Sequence, residues 1–459
     1  MARPNHRSKN SFSSRAVMAG IVGLGSLSAA IYLINFNIYD LLPIFSGIAA
    51  IQLYVIMFLA LSVLYLTSVY LVIILMPKEE KPWVLTGTII FLAIIFRFCL
   101  IPPDPAVLSK DVYRYIWDGR VQQNGFNPFL YPPQADELAN LRDDQIFPNI
   151  NRKDYRTVYP AGAQVFFRIF HFLVGDSVTA YKGIMVFFDI ATLLVLTALL
   201  RVYGFKASRI IVYAWNPLVI FEIAYSGHLE GLTVFLLATA LYLFAIHKKL
   251  PGIIMLALSA AVKLYPAVLL AAFLNRGYRI KGIITFLATI LLLYLPFLSA
   301  GAKISGFLPV YLKNPYESFN LGLKHLLMRL IPGLDYYLLS LMFILALAIA
   351  GLVVLLKSKE DIDVIRYAYI LVGFLMILMP ASLHPWYVIL IIPFLVIYPN
   401  PAWLIFTCTV TLSYLKYTSP QGIMPTWILL IEYSPLLALL AAGFILRPKL
   451  RGSGFNLPG

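Results

Sequence analysis

The chain has 459 residues, 61% of them hydrophobic and only 12% charged. A mean hydropathy of +0.83 excludes a soluble domain of this size, because repeated apolar runs approach the ~20 residues that cross a bilayer core. The formal charge of +15 sits in short basic clusters between apolar runs, the pattern of membrane topology and not of nucleic-acid binding.

In chain order, the basic MARPNHRSKNSFSSR is followed by an apolar stretch from Val17 to about Asn37 without a small-residue cleavage site. It reads as a retained first span. Spans are expected at 16–37, 51–76, 84–101, 178–202, 208–225, 229–247, 250–274, 279–300, 336–357, 364–381, 386–399, 401–417 and 426–446. Arg3, Arg7, Lys9 and Arg15 put the N-terminus in the cytoplasm, the link at Asp40 outside, and Lys78 and Lys81 inside. The third span then emerges at Pro102 on the extracytoplasmic side.

Two segments need a different reading. AGAQVFFRIFHFLVG (Ala161–Gly175) is short and carries Arg168 and His171; if it crossed, Arg201, Lys206 and Arg209 would land outside. It is expected to lie in the interface. In AVKLYPAV, Pro266 interrupts a helix one turn after Lys263, between the basic flanks His247-Lys248-Lys249 and Arg276, Arg279 and Lys281. Two half-helices that enter and return keep both flanks inside, and such breaks are tolerated where they line a cavity or are buried in protein. Lys357, Lys359, Arg447, Lys449 and Arg451 then also fall inside.

The expectation is an all-α polytopic membrane protein with about 12–13 transmembrane helices, the re-entrant one included. It forms a single domain over 1–459, with extracytoplasmic loops at 102–177 and 301–335. Both termini are expected in the cytoplasm and the chain in the plasma membrane. Cys99 and Cys408 lie in apolar segments and read as free buried thiols.

The first loop holds SKDVYRYIWDGRVQQNGFNPFLYPP (Ser109–Pro133), where Lys110, Asp111, Arg114, Asp118 and Arg120 interleave with Tyr113, Tyr115 and Trp117. Asp111, Tyr115 and Asp118 share one face of a helix. Arg114 and Asp118 are spaced as an i, i+4 pair, and Asn124-Gly125 and Asn127-Pro128 end the helix. Periodicity leaves two readings open. One is a solvated, salt-bridged surface helix; the other is a rim site that binds a sugar phosphate and moves a proton.

Together with TVYPAGAQ (Thr157–Gln164), this stretch resembles the first large outer loop of the GT-C superfamily of integral-membrane glycosyltransferases. It is most similar to the polyprenyl-phosphate-mannose-dependent α-mannosyltransferases. AWNPLVIFEIAYSGHLEG (Ala214–Gly231), AVKLYPAVLL (Ala261–Leu270) and LHPWYVILIIPF (Leu383–Phe394) fit in order. One departure is that two spans precede the span leading into the loop. The resemblance implies inverting transfer of a hexose, mannose foremost, from a polyprenyl-phosphate-linked donor to a glycan or glycolipid acceptor outside the membrane. It implies Asp111 as general base, with Asp118 next in line. Arg114, Arg120, Lys263, Tyr265 and His384 are candidates for the donor phosphate and sugar, and Tyr115, His228, Glu230 and Trp386 for the acceptor cavity.

Other readings of these residues stay open. His384 also fits an interfacial His beside a Trp anchor, Lys263 an internal pair with Asp189 or Glu222, and Arg97 a snorkelling side chain. Tyr316, Glu317 and Asn320 could close a second loop over substrate. No cofactor is expected, and Asp111 and Asp118, interleaved with Lys and Arg, make a poor hard-cation cage. Two rival functions remain: a lipid-linked-sugar transporter, which the break at Lys263–Pro266 fits but the asymmetric loops do not, and a glycan polymerase or ligase using lipid diphosphates.

Overall fold

A computed structural model describes residues 13–36, 49–76, 81–101, 108–274, 277–306, 309, 319–358, 363–419 and 422–451. Arg3, Arg7, Lys9, Asp40, Lys78, Pro102, Arg276, Tyr316, Glu317 and Lys359 lie outside the described residues. Among those described, every regular element is a helix. The N-terminal part runs α1 (Ser14–Phe36), α2 (Ala50–Tyr70), α3 (Pro82–Phe98), α4 (Asp111–Gln123), α5 (Ala161–Val174) and α6 (Val178–Val202). There follow α7 (Ala207–Ala214), α8 (Pro217–Tyr225), α9 (Glu230–Ala245), α10 (Lys249–Val262), α11 (Leu270–Phe273) and α12 (Arg279–Ser305). The chain closes with α13 (Leu323–Leu330), α14 (Tyr336–Lys357), α15 (Asp363–Ile377), α16 (Pro385–Leu395), α17 (Pro401–Thr409) and α18 (Thr426–Arg451).

Among the described residues, six segments are long and apolar enough to cross a bilayer: Ser14–Ile34, Ala50–Leu75, Val178–Val202, Arg279–Ser305, Tyr336–Lys357 and Thr426–Ile445. Their unburied sides carry large apolar residues, as lipid requires; on α12 these include Ile280, Ile284, Leu287 and Leu291. The chain is therefore an all-α, multi-pass membrane protein. The other apolar runs form shorter or interrupted helices, because hydropathy measures apolar length and not helix continuity.

Two interruptions matter most. The single span expected at 208–225 is bent by 61° between α7 and α8. Pro217 disfavours helical geometry at Asn216, whose side chain instead caps α8 through the Leu218 N–H at 3.0 Å. Carbonyls near the break do not go unpaired: Ala214 O accepts from Arg97 at 2.8 Å and Val212 O from the Tyr65 hydroxyl at 2.8 Å. The second break is the one expected near Lys263. Here α10 ends in an extended residue, Lys263 (φ −139°, ψ 134°), and the chain resumes in a 3₁₀ turn over Tyr265–Leu269.

Arg97 does not snorkel. It is fully buried and pairs with Asp189 at 2.6 Å, and the Tyr213 hydroxyl donates to the same carboxylate at 2.7 Å. This cluster ties α3 and α6 to the α7–α8 bend and removes Asp189 as a partner for Lys263.

Helix α4 is not a solvated surface helix either, since every residue from Val112 to Gln122 is buried. It packs on α5, which packs in turn on α10. Glycine permits both approaches: a Cβ on Gly119 would lie 2.5 Å from the Phe167 carbonyl oxygen, and one on Gly162 2.6 Å from both Ala261 Cβ and O. The far side of α5 exposes Ile169, Phe172 and Leu173, an apolar surface suited to an interfacial helix. Gly162→Ala should therefore push α5 off α10 and cost about 1–3 kcal/mol, typical of overpacking. Thermal unfolding in detergent checks this, with a lowered midpoint expected.

Candidate active site

Asp111 is the first residue of α4, where the helix end favours a negative charge. Its Oδ1 accepts from Asn151 Nδ2 at 2.8 Å, and its backbone N–H donates to Ser109 Oγ at 3.3 Å. Its Oδ2 lies 3.8 Å from Nδ1 of His228, and the side chain keeps 19% exposure. Burial raises the carboxyl's pKa, but His228, Lys263, the Asn151 hydrogen bond and His384 together hold it below the ordinary value. Asp111 is therefore an anion at neutral pH and can accept a proton.

The residues facing it come from distant segments. Gly227 adopts φ 72°, a conformation open to glycine, and turns the chain so that His228 follows at once. His228 is fully buried, with Nε2 3.3 Å from Glu222 Oε2. Glu230, opening α9, accepts from Lys263 Nζ at 2.7 Å and from the Tyr265 hydroxyl at 2.8 Å. Lys263 thus has an internal partner, Glu230, in place of the two acids considered from sequence. Trp386 is stacked between two imidazoles, 4.1 Å from His228 and 4.3 Å from His384. Both of its faces are covered by these rings. Phe319 extends the column, 4.9 Å beyond His384.

Tyr115, Asp118, Arg114 and Arg120 sit behind this group. The Tyr115 ring is buried against Phe167 and Tyr159, at 5.0 Å from each. Asp118 is 1% exposed; one oxygen accepts from Arg114 at 2.8 Å and the other from Gln164 at 2.8 Å. Arg114 also donates to Tyr155 O at 3.2 Å. Arg120 pairs with Asp143 at 2.7 Å and Asp176 at 2.9 Å, and donates to Leu141 O at 2.9 Å. Asn320 donates to Glu432 at 2.9 Å, while its carbonyl accepts from the Leu383 N–H at 2.6 Å, fixing the residue before His384.

Sequence reasoning missed Asn151, Glu222 and Tyr414, whose hydroxyl donates to Glu222 Oε1 at 2.7 Å, as parts of this site. Glu222 carried a signal, since an acid within an apolar run is a functional candidate by default. Asn151, in an irregular loop, carried none. Cys99 and Cys408 are both free thiols.

Burial pushes the His384 imidazole down to about 3; Asp111 opposes this, while Lys263, His228 and Arg152 reinforce it. At neutral pH His384 therefore offers hydrogen bonds and not a positive charge. An unfolded chain protonates this histidine near 6.5, so its contribution to stability is full above that value and falls as pH drops toward 3. The protein should lose thermal stability between about pH 6.5 and pH 4. His384→Gln should flatten that part of the slope, as read from unfolding midpoints across pH.

Residues 12–276 match the family described as "Alpha-(1->6)-mannopyranosyltransferase, N-terminal domain". No curated protein and no solved structure matches. The matched region spans more than half of the chain and takes in Asp111, His228, Glu230 and Lys263. The chain thus belongs to the MptA_B family of alpha-(1->6)-mannopyranosyltransferases and is a membrane mannosyltransferase.

Proposed function

We propose that the protein transfers mannose from a polyprenyl-phosphate-linked donor to a hydroxyl of a glycan or glycolipid acceptor. Transfer takes place on the extracytoplasmic face, with inversion at the anomeric carbon. The observation that carries this reading is the contrast between two carboxylates on α4. Asp111 is partly exposed and anionic, whereas Asp118 has both oxygens engaged in a buried ion-pair network.

In this reaction the acceptor oxygen attacks C1 of mannose as Asp111 takes its proton. The bond from C1 to the phosphate oxygen breaks, and its electron pair stays on the phosphate. Since the family's product is an α-mannoside, inversion calls for a β-linked donor. The departing phosphate gains charge where water is scarce, so preorganised donors favour the transition state. Lys263, with hydrogen bonds from Tyr265 and His384, fills that role, the phosphate competing with Glu230 for both Lys263 and Tyr265. The exposed apolar side of α5 supports a donor whose lipid tail stays in the bilayer.

In proteoliposomes, polyprenyl-phosphate mannose should serve as donor; transfer from a lipid diphosphate alone would overturn the donor assignment. Asp111→Asn should cut turnover by roughly 10²–10⁴-fold while keeping donor binding. Asp118→Asn should chiefly destabilise the fold, by about 3–5 kcal/mol, because Arg114 is left buried without its counter-charge. Normal turnover in Asp111→Asn beside a folded but inactive Asp118→Asn would move the base to Asp118.

The face is tested separately. A cysteine replacing exposed Asp154, in a chain lacking Cys99 and Cys408, should react with an impermeant thiol reagent in intact cells. Protection of that site would place the catalytic loop in the cytoplasm.

A further inference from the structure

Four side chains from three distant segments run in series inward from Asp111. Asp111 Oδ2 is 3.8 Å from His228 Nδ1, His228 Nε2 is 3.3 Å from Glu222 Oε2, and Glu222 Oε1 accepts from the Tyr414 hydroxyl at 2.7 Å. His228 and Glu222 are fully buried. Among the described residues, neither imidazole nitrogen nor Glu222 Oε2 makes a hydrogen bond. Burying such groups without partners costs free energy, so their alignment calls for an explanation beyond packing.

The backbone holds this series in place. Glu222 lies in a π-helical turn, Phe221–Tyr225, a widened geometry frequent at functional sites. The His228 N–H donates to the Glu222 carbonyl at 3.0 Å, and Trp386 covers one face of the ring. The imidazole is thereby fixed with one nitrogen toward Asp111 and the other toward Glu222.

We infer that His228, oriented by Glu222, receives the proton that Asp111 takes from the acceptor and returns it through partly exposed Asp111 to water once product has left, resetting the base for the next turnover. This rests on Asp111 being the base of the proposed transfer. After transfer Asp111 is a neutral acid, and its Oδ2 proton passes to Nδ1 of His228. Nε2 lies 3.3 Å from Glu222 Oε2, close enough for that acid to stabilise the imidazolium electrostatically once it forms, and Tyr414 holds Glu222 through its other oxygen. No electrons change hands beyond the pair that leaves with the phosphate. The 3.8 Å gap is longer than a hydrogen bond, in keeping with catalytic contacts that tighten only once substrate is bound. His228 and Glu222 act through Asp111 and are positioning residues.

The test uses the full-length protein in proteoliposomes with polyprenyl-phosphate mannose. Glu222→Gln keeps size and most hydrogen bonding but removes the charge. It should lower kcat roughly ten- to a hundredfold with KM for donor and acceptor unchanged. Tyr414→Phe should give a smaller fall of the same kind, and it serves where Glu222→Gln does not fold. His228→Ala should lose turnover and regain part of it with added imidazoles, more with the more basic ones. A mere brace would show no such dependence on basicity. Wild-type kcat in both Glu222→Gln and Tyr414→Phe, or no rescue of His228→Ala, overturns the relay while Asp111→Asn stays inactive. Wild-type turnover in Asp111→Asn instead sinks the base assignment, and the relay with it.

Discussion

Burial of a strongly charged helix is the constraint on which the rest of the site depends. Helix α4 carries acids and arginines along its length yet is covered by protein from Val112 to Gln122. A buried charge is tolerated when paired and hydrogen-bonded. Arg114 therefore closes on Asp118 within the helix, Gln164 reaches across from α5, and Arg120 draws in Asp143 from the loop and Asp176 from the turn between α5 and α6. These partners fix α4 against α5. Asp111, at the exposed end, accepts a hydrogen bond from Asn151 on one oxygen and keeps the other toward His228.

Helix breaks supply the groups that face it. A continuous helix satisfies its own backbone and leaves little polar surface at depth. The α7–α8 bend, π-helical turn and Gly227 turn bring Glu222, His228 and Glu230 together within nine residues. The end of α10 leaves Lys263 extended beside Glu230. At the first break, partners from elsewhere, Arg97 and Tyr65, take up the freed carbonyls. Arg97 is thus remote from the chemistry but structurally tied to it: its ion pair with Asp189 anchors the bend that presents Glu222 and His228.

Membership of the mannosyltransferase family and the geometry around Asp111 speak to different levels of the function. The family fixes the sugar transferred in general terms. The contrast between Asp111 and Asp118, on which the proposed roles of base and brace rest, is a matter of environment alone, since both are aspartates on one helix face.

Much of this was legible in the sequence. Apolar run lengths gave the multi-pass helical class, because about 20 residues are needed wherever a helix crosses. Spacing gave α4 and its Arg114–Asp118 pair, and Pro266 after Lys263 marked a break. The order of four motifs marked Asp111, His228, Glu230, Lys263 and His384. Tertiary structure decided what periodicity could not, since a 3.6-residue repeat shows which residues share a face but not whether water or protein covers it. Burial of α4 turned a surface pattern into a braced core. Lys263 found Glu230 and not the acids weighed from sequence, because partner choice at depth depends on which helix ends converge. Asn151, in an irregular loop, and Tyr414, 192 positions from Glu222, join the site through long-range packing, which local sequence does not encode.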